Sequence, residues 1–342
     1  MNIKYIIKEA KYYRKITGLN RAIKKFLLTQ TFFKNLVNSP IYCYYYNKQV
    51  RKKSKKIKPL ILQIENTNIC NAKCIMCPHI FMKRKQKIMK QEDFERIIDN
   101  VLKSYKIKRL NLNGFGEPFI DPGLIKKIKY VNKRYPLIKI DIFTNGSLMS
   151  KNITDELLKL KVDRITFSIN GTKKNYKKIM GLDYENTQNN VLYFLKNNLK
   201  KENKILTNIS LMILDENKED IEKFIKFWSP YANSVRAYAP NNWAGGITNI
   251  IYKTPFKYNK RWPCIYFWTN ITIDVEGNVT LCCRDYESRV IFGNVLKQDI
   301  KKIRNSQKFK DSKQKQLNFD FNMPVCSTCD IIFESSIDWI IT

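Results

Sequence analysis

Apolar and polar positions follow two rhythms along this chain, and the change between them marks its organisation. Over residues 1–58, Ile3, Ile7, Ala10, Ile16, Ala22, Phe26 and Leu27 recur at roughly helical spacing. Gly18 and Pro40 divide that stretch into shorter helices, and Arg51-Lys-Lys-Ser-Lys-Lys56 reads as an exposed linker. From Pro59 short apolar runs alternate with amphipathic stretches. Strands are expected at 60–65, 108–113, 138–144, 164–169, 205–214 and 234–238. Helices are expected at 91–104, 122–133, 154–160 (capped by Thr154 or Asn152), 188–200 and 218–227. Such βα alternation predicts a parallel sheet, open or barrel-shaped, and its six units fall short of the eight of a full barrel. Residues 239–262 read as a connection, after which the alternation stops. Segments 271–274 and 278–281 flank Glu276-Gly277 as a hairpin, a helix follows over 299–310, and the chain ends in a cysteine-rich tail.

Composition adds a compartment and a charge. A hydrophobic content of 44%, with 19 Phe and 19 Tyr, can fill a sizeable core. With no apolar run of about 18 residues, no membrane-spanning helix is expected. With no apolar segment before a small-residue cleavage site, no secretory signal is expected either. A cytoplasmic setting follows, where thiols stay reduced. Nine cysteines there point to metal or redox chemistry before disulfides. The net charge of +33 would suit nucleic acid, anionic lipid or an acidic substrate. It is carried by 50 Lys against 13 Arg, however, and Arg is the better bidentate reader of phosphate, so no nucleic-acid partner is expected. Residues 1–58 hold 16 basic residues and one acid, Glu9. Peripheral membrane contact or partner docking is one reading of that segment. A solvated helical cap on the main domain is the plainer one, and is preferred.

The candidate chemistry sits on two groups of cysteines. Cys70-Asn-Ala-Lys-Cys74-Ile-Met-Cys77 directly follows the first strand of the βα series. Parallel strands carry active sites at their C-terminal ends. Three thiolates on one loop can hold three irons of a cubane cluster and leave the fourth iron open. Zinc sites use a different spacing, pairing C-x2-C with a second pair. Asn113-Gly-Phe-Gly-Glu117-Pro118 closes the second strand, Thr144-Asn145-Gly146 the third and Ser168-Ile169-Asn170-Gly171 the fourth. Each would pass for an ordinary turn by itself; their repetition at strand ends is the signal.

Taken together these residues resemble the radical S-adenosylmethionine (SAM) superfamily, over residues 59–240. The resemblance implies a [4Fe–4S] cluster on Cys70, Cys74 and Cys77, with SAM on its open iron. It implies Met76 against the adenine, and Gly116 and Glu117 receiving the SAM ammonium. Gly-Phe-Gly-Glu stands here in place of the family's usual Gly-Gly-Glu. Asn145 and Ser168, and more weakly Asn170, match positions near the SAM ribose and carboxylate. The resemblance also implies reductive cleavage of SAM to a 5′-deoxyadenosyl radical, which takes hydrogen from substrate, and a flavodoxin- or ferredoxin-type electron donor. The lone histidine, His79, could touch the cluster edge, but a surface or supporting place suits it better. With one histidine and no Gly-x-Ser-x-Gly, no hydrolytic triad is expected.

Cys264, Cys282, Cys283, Cys326 and Cys329 form the second group, which by spacing alone suits a second cluster or structural zinc equally. Trp262-Pro-Cys264, Gly277-Asn-Val-x-x-Cys282-Cys283-Arg-Asp, Gly293-Asn294-Val295 and Cys326-x2-Cys329 resemble, in order, the SPASM/twitch auxiliary domains that follow many radical SAM cores. That implies an auxiliary [4Fe–4S] cluster on Cys264, Cys282, Cys326 and Cys329, one cluster rather than two. Cys283 could replace Cys282, since adjacent strand residues point opposite ways. Cys43 is taken as a buried small residue. The expected fold is thus α/β: a partial (β/α)6 TIM-like barrel at 59–240, a small Cys-rich α+β auxiliary-cluster domain at 241–342, and a basic helical N-terminal extension at 1–58.

For the reaction, a dehydrogenase acting on a sugar or cyclitol is the leading expectation. A substrate radical must lose a second electron, and an auxiliary cluster can take it. The alternative is a maturase modifying a peptide; a remote third is a zinc-containing polyanion-binding protein. No general base stands out, so the catalytic residues stay unassigned. Arg236, Tyr238 and Trp243, near the sixth strand's end, could line the substrate site, but core or linker places are the preferred reading for some of them, and they stay outside the catalytic set.

Overall fold

The computed structural model describes residues 40–247 and 261–330. The periodic residues of 3–27 therefore lie outside the described part, as does the side chain of Cys43. The first described helix, α1 (Pro40–Ser54), corrects the linker expected at 51–56. Val50 and Ser54, one turn apart, are buried, and Arg51 donates to the Leu317 carbonyl (2.8 Å). Lysine and arginine are good helix formers, and at a helix C-terminus their charge meets the negative end of the dipole. A basic run can therefore extend a helix rather than end it.

Strands β1 (Ile61–Ile64), β2 (Arg109–Leu112), β3 (Lys139–Thr144), β4 (Arg164–Ser168), β5 (Leu206–Met212) and β6 (Ser234–Tyr238) pair in parallel, in chain order. Helices α2 (Gln91–Ser104), α3 (Leu124–Arg134), α4 (Lys151–Leu157), α5 (Tyr176–Met180), α6 (Tyr184–Leu199) and α7 (Ile221–Trp228) lie between them. The strands bury Leu62, Leu110, Ile140, Ile165, Phe167 and Ile209 essentially completely. Helices supply matching stripes such as Phe94, Ile97, Ile98 and Val101 of α2, at the spacing of one helical face. The alternate strand positions, Gln63, Asn111, Asp141, Thr166 and Asn208, are polar. Asp141 is fully buried there and paired with both Arg109 and Arg164. Burial raises its pKa, against the pull of the two guanidinium groups.

The sheet does not stop at residue 240, nor does it close into a barrel. After the four-residue α8 (Tyr266–Thr269), β7 (Asn270–Ile273) pairs in parallel with β1, in register from Ile61 against Asn270 to Ile64 against Ile273. Antiparallel β8 (Asn278–Thr280) and β9 (Ile291–Asn294) extend it to nine strands in the order β6-β5-β4-β3-β2-β1-β7-β8-β9. The expected hairpin is β7–β8, but β9 and α5 were not read from the sequence. Several helix boundaries differ, among them the start of α6, which lies at Tyr184 and not 188. Ser150, not Thr154 or Asn152, caps α4, while Thr154 is buried. The single helix expected at 299–310 is two, α9 (Ile300–Asn305) and α10 (Gln307–Leu317). Ser306 breaks it by leaving the helical conformation and accepting the Phe309 N–H as a new cap. No described helix is long and apolar enough to cross a membrane.

Candidate active site

The C-terminal ends of β1 to β6 open onto one cavity of about 530 Å³. It is lined by Cys70, Cys74, Cys77, Met76, Gly116, Glu117, Asn145 and Ser168, so every core residue predicted from the sequence meets there. Asn170, Tyr238 and Trp243 join them, while Arg236 instead binds the hydroxyl of Ser234.

The cysteine loop has little secondary structure of its own and is held from outside. Lys73 and Ile75 donate their N–H groups to the carbonyls of Met180 and Ile179 at the end of α5 (2.9 and 3.0 Å). Asn68 fastens the loop's return, accepting from Lys87 N–H and donating to the Lys85 carbonyl. His79 meets the Asn68 carbonyl through Nε2 (3.0 Å) and does not line the cavity. Burial pushes the Cys70 thiol up to about 12 and the Cys77 thiol up to about 11. Cys74 is also raised well above its ordinary value, first by burial and then by Cys77 and Cys70. Three desolvated thiols within electrostatic reach of one another, on one wall of a cavity, fit a group that takes them as thiolates.

Glu117 faces them from the next strand end. Gly116 passes so close to β1 that a Cβ there would lie 2.3 Å from the Thr67 carbonyl oxygen, which is why this position needs glycine. That close approach lets Glu117 N–H reach the Ile69 carbonyl (2.9 Å). The Glu117 carboxylate accepts from Thr144 Oγ1 (2.6 Å), Asn145 N–H (2.7 Å) and Phe119 N–H (3.2 Å). These bonds stabilise the charge, but burial outweighs them and lifts the pKa from 4.5 to about 7. Asn145 ties this strand end to the cysteine loop: its amide donates to Asn71 Oδ1 (3.0 Å) and accepts from Ser147. Asn71 in turn donates to Ser147 Oγ (2.9 Å). Gly146 makes that turn with φ of 78°, a left-handed conformation that favours glycine.

The far wall was mostly invisible in the sequence. Phe115, Ser210, Met212, Asn241 and Arg284 are among the residues that line it. Trp243 donates its indole N–H to the Met76 carbonyl (2.9 Å), and Phe115 meets it edge-on at 5.7 Å. Ser210, Met212 and Asn241 carry no motif, and Phe115 and Arg284 fall inside motifs that point to other residues; only the convergence of these side chains marks them.

The second cysteine group does not line this cavity. Burial pushes the Cys326 thiol up to about 12 and raises Cys264 and Cys282 as well. Neighbouring sulfurs add to each shift: Cys329 acts on Cys264 and Cys326, and Cys283 on Cys282. Cys282 and Cys283 both line a small cleft with Glu65 and Arg84. Gln316, fully buried, joins the group by accepting from Cys264 N–H (2.9 Å) and donating toward Cys326 Sγ (3.4 Å). Three desolvated sulfurs, with Cys329 and Cys283 within electrostatic reach of them, suit a metal–sulfur group. Among the described residues, no three His, Cys, Asp or Glu side chains converge on a position for one metal ion.

Glu65 joins the two cysteine regions. Its buried carboxylate takes both terminal nitrogens of Arg84 (2.8 and 3.0 Å) and the N–H groups of Phe115 and Val275.

Comparison with known proteins agrees with this layout. A family model described as the radical SAM superfamily matches residues 64–227. A second, described as an iron–sulfur cluster-binding domain, matches residues 264–330, which speaks for iron–sulfur over zinc there. The chain is similar to the tungsten-containing aldehyde ferredoxin oxidoreductase cofactor-modifying protein of Pyrococcus furiosus, 32% identical over 108 residues, 32% of this chain and 30% of the relative. The chain spans about half, or less, of the length of the curated relatives it matches. Among solved structures it is similar to Streptococcus suis SuiB bound to precursor peptide SuiA, with a TM-score of 0.63 at 16% identity, covering 96% of this chain and 84% of that one. It is also similar to BtrN in complex with AdoMet and 2-DOIA, with a TM-score of 0.55 at 17% identity, covering 80% and 93%. At such identities the likeness is one of fold.

Proposed function

This chain belongs to the radical SAM superfamily and carries a C-terminal iron–sulfur cluster-binding domain, and from that we propose that it oxidises a sugar- or cyclitol-like small molecule by removing hydrogen from carbon. The observation that carries the proposal is the single cavity in which the three loop thiols, Glu117 and a wall of hydroxyl, amide and aromatic groups face one another.

Cys70, Cys74 and Cys77 would hold the catalytic [4Fe–4S] cluster. With SAM bound and an electron supplied, that group provides a 5′-deoxyadenosyl radical able to take a hydrogen atom from a C–H bond. Glu117 would accept a hydrogen bond from the SAM amino group, and Asn145 keeps the Glu117 strand end and the cysteine loop in one frame. Met76 presents apolar surface for the adenine, and Ser168 a hydroxyl. Closing the site over substrate keeps water away from a reactive intermediate. Cys264, Cys282, Cys326 and Cys329 would hold a second [4Fe–4S] cluster, a one-electron acceptor of the kind a net two-electron oxidation needs. We place residues 59–240 as the core domain, 241–342 as the auxiliary domain and 1–58 as an extension, with a flavodoxin- or ferredoxin-type donor.

The cavity volume falls in the range of small-molecule sites, and it must take SAM as well as substrate. Ser168, Ser210, Asn113, Asn170 and Asn241 offer hydrogen bonds suited to a polyol, and Phe115, Tyr238 and Trp243 offer ring faces. Peptide modification is the second reading, and the greater coverage of this chain by the SuiB likeness favours it. Deuterium transfer separates the two. With reduced, reconstituted enzyme and SAM, 5′-deoxyadenosine formed in the presence of ring-deuterated sugars or cyclitols should gain mass. Label arriving only from deuterated peptides would replace the sugar assignment with the second.

A further inference from the structure

Arg284 comes from the C-terminal region, directly after the Cys282-Cys283 pair, yet it lines the same cavity as Cys70, Cys74, Cys77 and Glu117. Its neighbours there are neutral. The guanidinium lies over the Trp243 ring at 4.5 Å, and Nη1 donates to Asn241 Oδ1. Arg84, Arg109, Arg164 and Arg289 each meet a carboxylate, while Arg51, Arg261 and Arg304 bond backbone carbonyls outside this cavity. Among the described residues lining the cavity Glu117 is the one acid, and its oxygens already accept from Thr144, Asn145 and Phe119.

The platform under Arg284 is held at a cost. Trp243 and Ala244 both adopt left-handed backbone conformations, with φ of 48° and 55°. Non-glycine residues keep such angles only where the surroundings over-determine them, and they cluster at ligand sites. Here the indole N–H bond to the Met76 carbonyl fixes the ring between the cysteine loop and the guanidinium. A guanidinium has five N–H donors in a planar fork that matches a carboxylate or a phosphate, and the bond to Asn241 uses one.

We propose that Arg284 receives an anionic group of the substrate, a phosphate or a carboxylate, so that the molecule oxidised is an acidic sugar or cyclitol derivative. This deepens the polyol reading above and rests on it. It also gives the C-terminal region a part in substrate choice separate from holding metal.

The test is equilibrium binding to the full, anaerobically reconstituted chain with SAM and without reductant. The probes are myo-inositol 1-phosphate and glucuronate, their neutral counterparts myo-inositol and glucose, and an Asp-Glu tetrapeptide. An acidic probe should bind about tenfold or more tightly than its neutral counterpart, and added salt should weaken it. Arg284→Gln should lose that binding by about ten- to a hundredfold, and Arg284→Lys should keep a part of it, while iron content and SAM affinity stay as in the parent. Phosphate against carboxylate preference identifies the anion. Three results would overturn the proposal: equal binding of acidic and neutral probes, no binding of any acidic probe, or undiminished binding in Arg284→Gln. Loss of SAM affinity in Arg284→Gln and Arg284→Lys would also overturn it, because the arginine would then serve the SAM carboxylate. Arg284-dependent binding of the tetrapeptide alone would keep the arginine as an anion receptor and sink only the polyol reading.

Discussion

Replacing Glu117 with glutamine should change how stability depends on pH, in a direction the structure fixes. Burial raises the Glu117 pKa from 4.5 to about 7. The folded chain therefore holds a proton between those values that the unfolded chain has released. Stability from this group is complete below pH 4.5, falls as pH rises, and is gone above about pH 7. A shift of about 2.5 units corresponds to about 3 kcal/mol, of which about 2 to 3 kcal/mol is lost between pH 5 and 8. Glutamine carries no charge and loses none of this. It can keep the Thr144 and Phe119 bonds on its oxygen, but its NH2 then faces the Asn145 N–H. Two opposed donors cost about 1 to 3 kcal/mol, independent of pH over this range. Glu117→Gln should thus be the less stable protein at pH 5 and close to the parent at pH 8. Urea unfolding of both metal-free chains, reduced and followed by circular dichroism at four pH values, measures the difference. Parallel stability profiles for the two proteins would refute the reasoning, since they would mean that Glu117 titrates alike in both states.

Gly116→Ala forces a Cβ to within 2.3 Å of backbone, so the Glu117 strand end must move. SAM binding should weaken by at least about tenfold while the chain stays folded, read by equilibrium dialysis of labelled SAM. Asp141→Asn removes the charge shared by Arg109 and Arg164 under the sheet and should lower stability by about 3 kcal/mol, far from the site and visible in urea unfolding. Gln316→Leu leaves the Cys264 N–H without its partner beside the second cysteine group. Iron per reconstituted chain should fall from about eight toward about four, with 5′-deoxyadenosine release in the absence of substrate unchanged.

What could be read from the sequence was local. Glu117 and Asn145 sit within five residues of strand ends and the three cysteines share the loop that follows β1, so period and spacing were enough to bring them to one face. The network that fixes them was not readable in this way. Asn71 meets Asn145 across 74 positions and Ser147 across 76, and Gln316 reaches Cys264 across 52. Such pairings depend on packing rather than on any pattern. The parallel contact of β7 with β1 was missed for the same reason: a four-residue strand after a long connection carries no sign of its partner. Arg51 to Ser54 failed differently, because charge was taken as a mark of linker when one buried face was enough to continue the helix. Arg284 has no signal in the sequence beyond its position after Cys283, and its side chain's place in the cavity follows from the fold.

The central claim is that Cys70, Cys74 and Cys77 together hold a cluster with one iron free for SAM. The most direct test is the release of 5′-deoxyadenosine from SAM by the anaerobically reconstituted, dithionite-reduced chain, beside Cys74→Ala prepared in the same way. The account predicts release by the parent and none above background by the variant, which should keep only the iron of the second group. Release by Cys74→Ala at the parent's rate, or none by an iron-loaded parent, would contradict it.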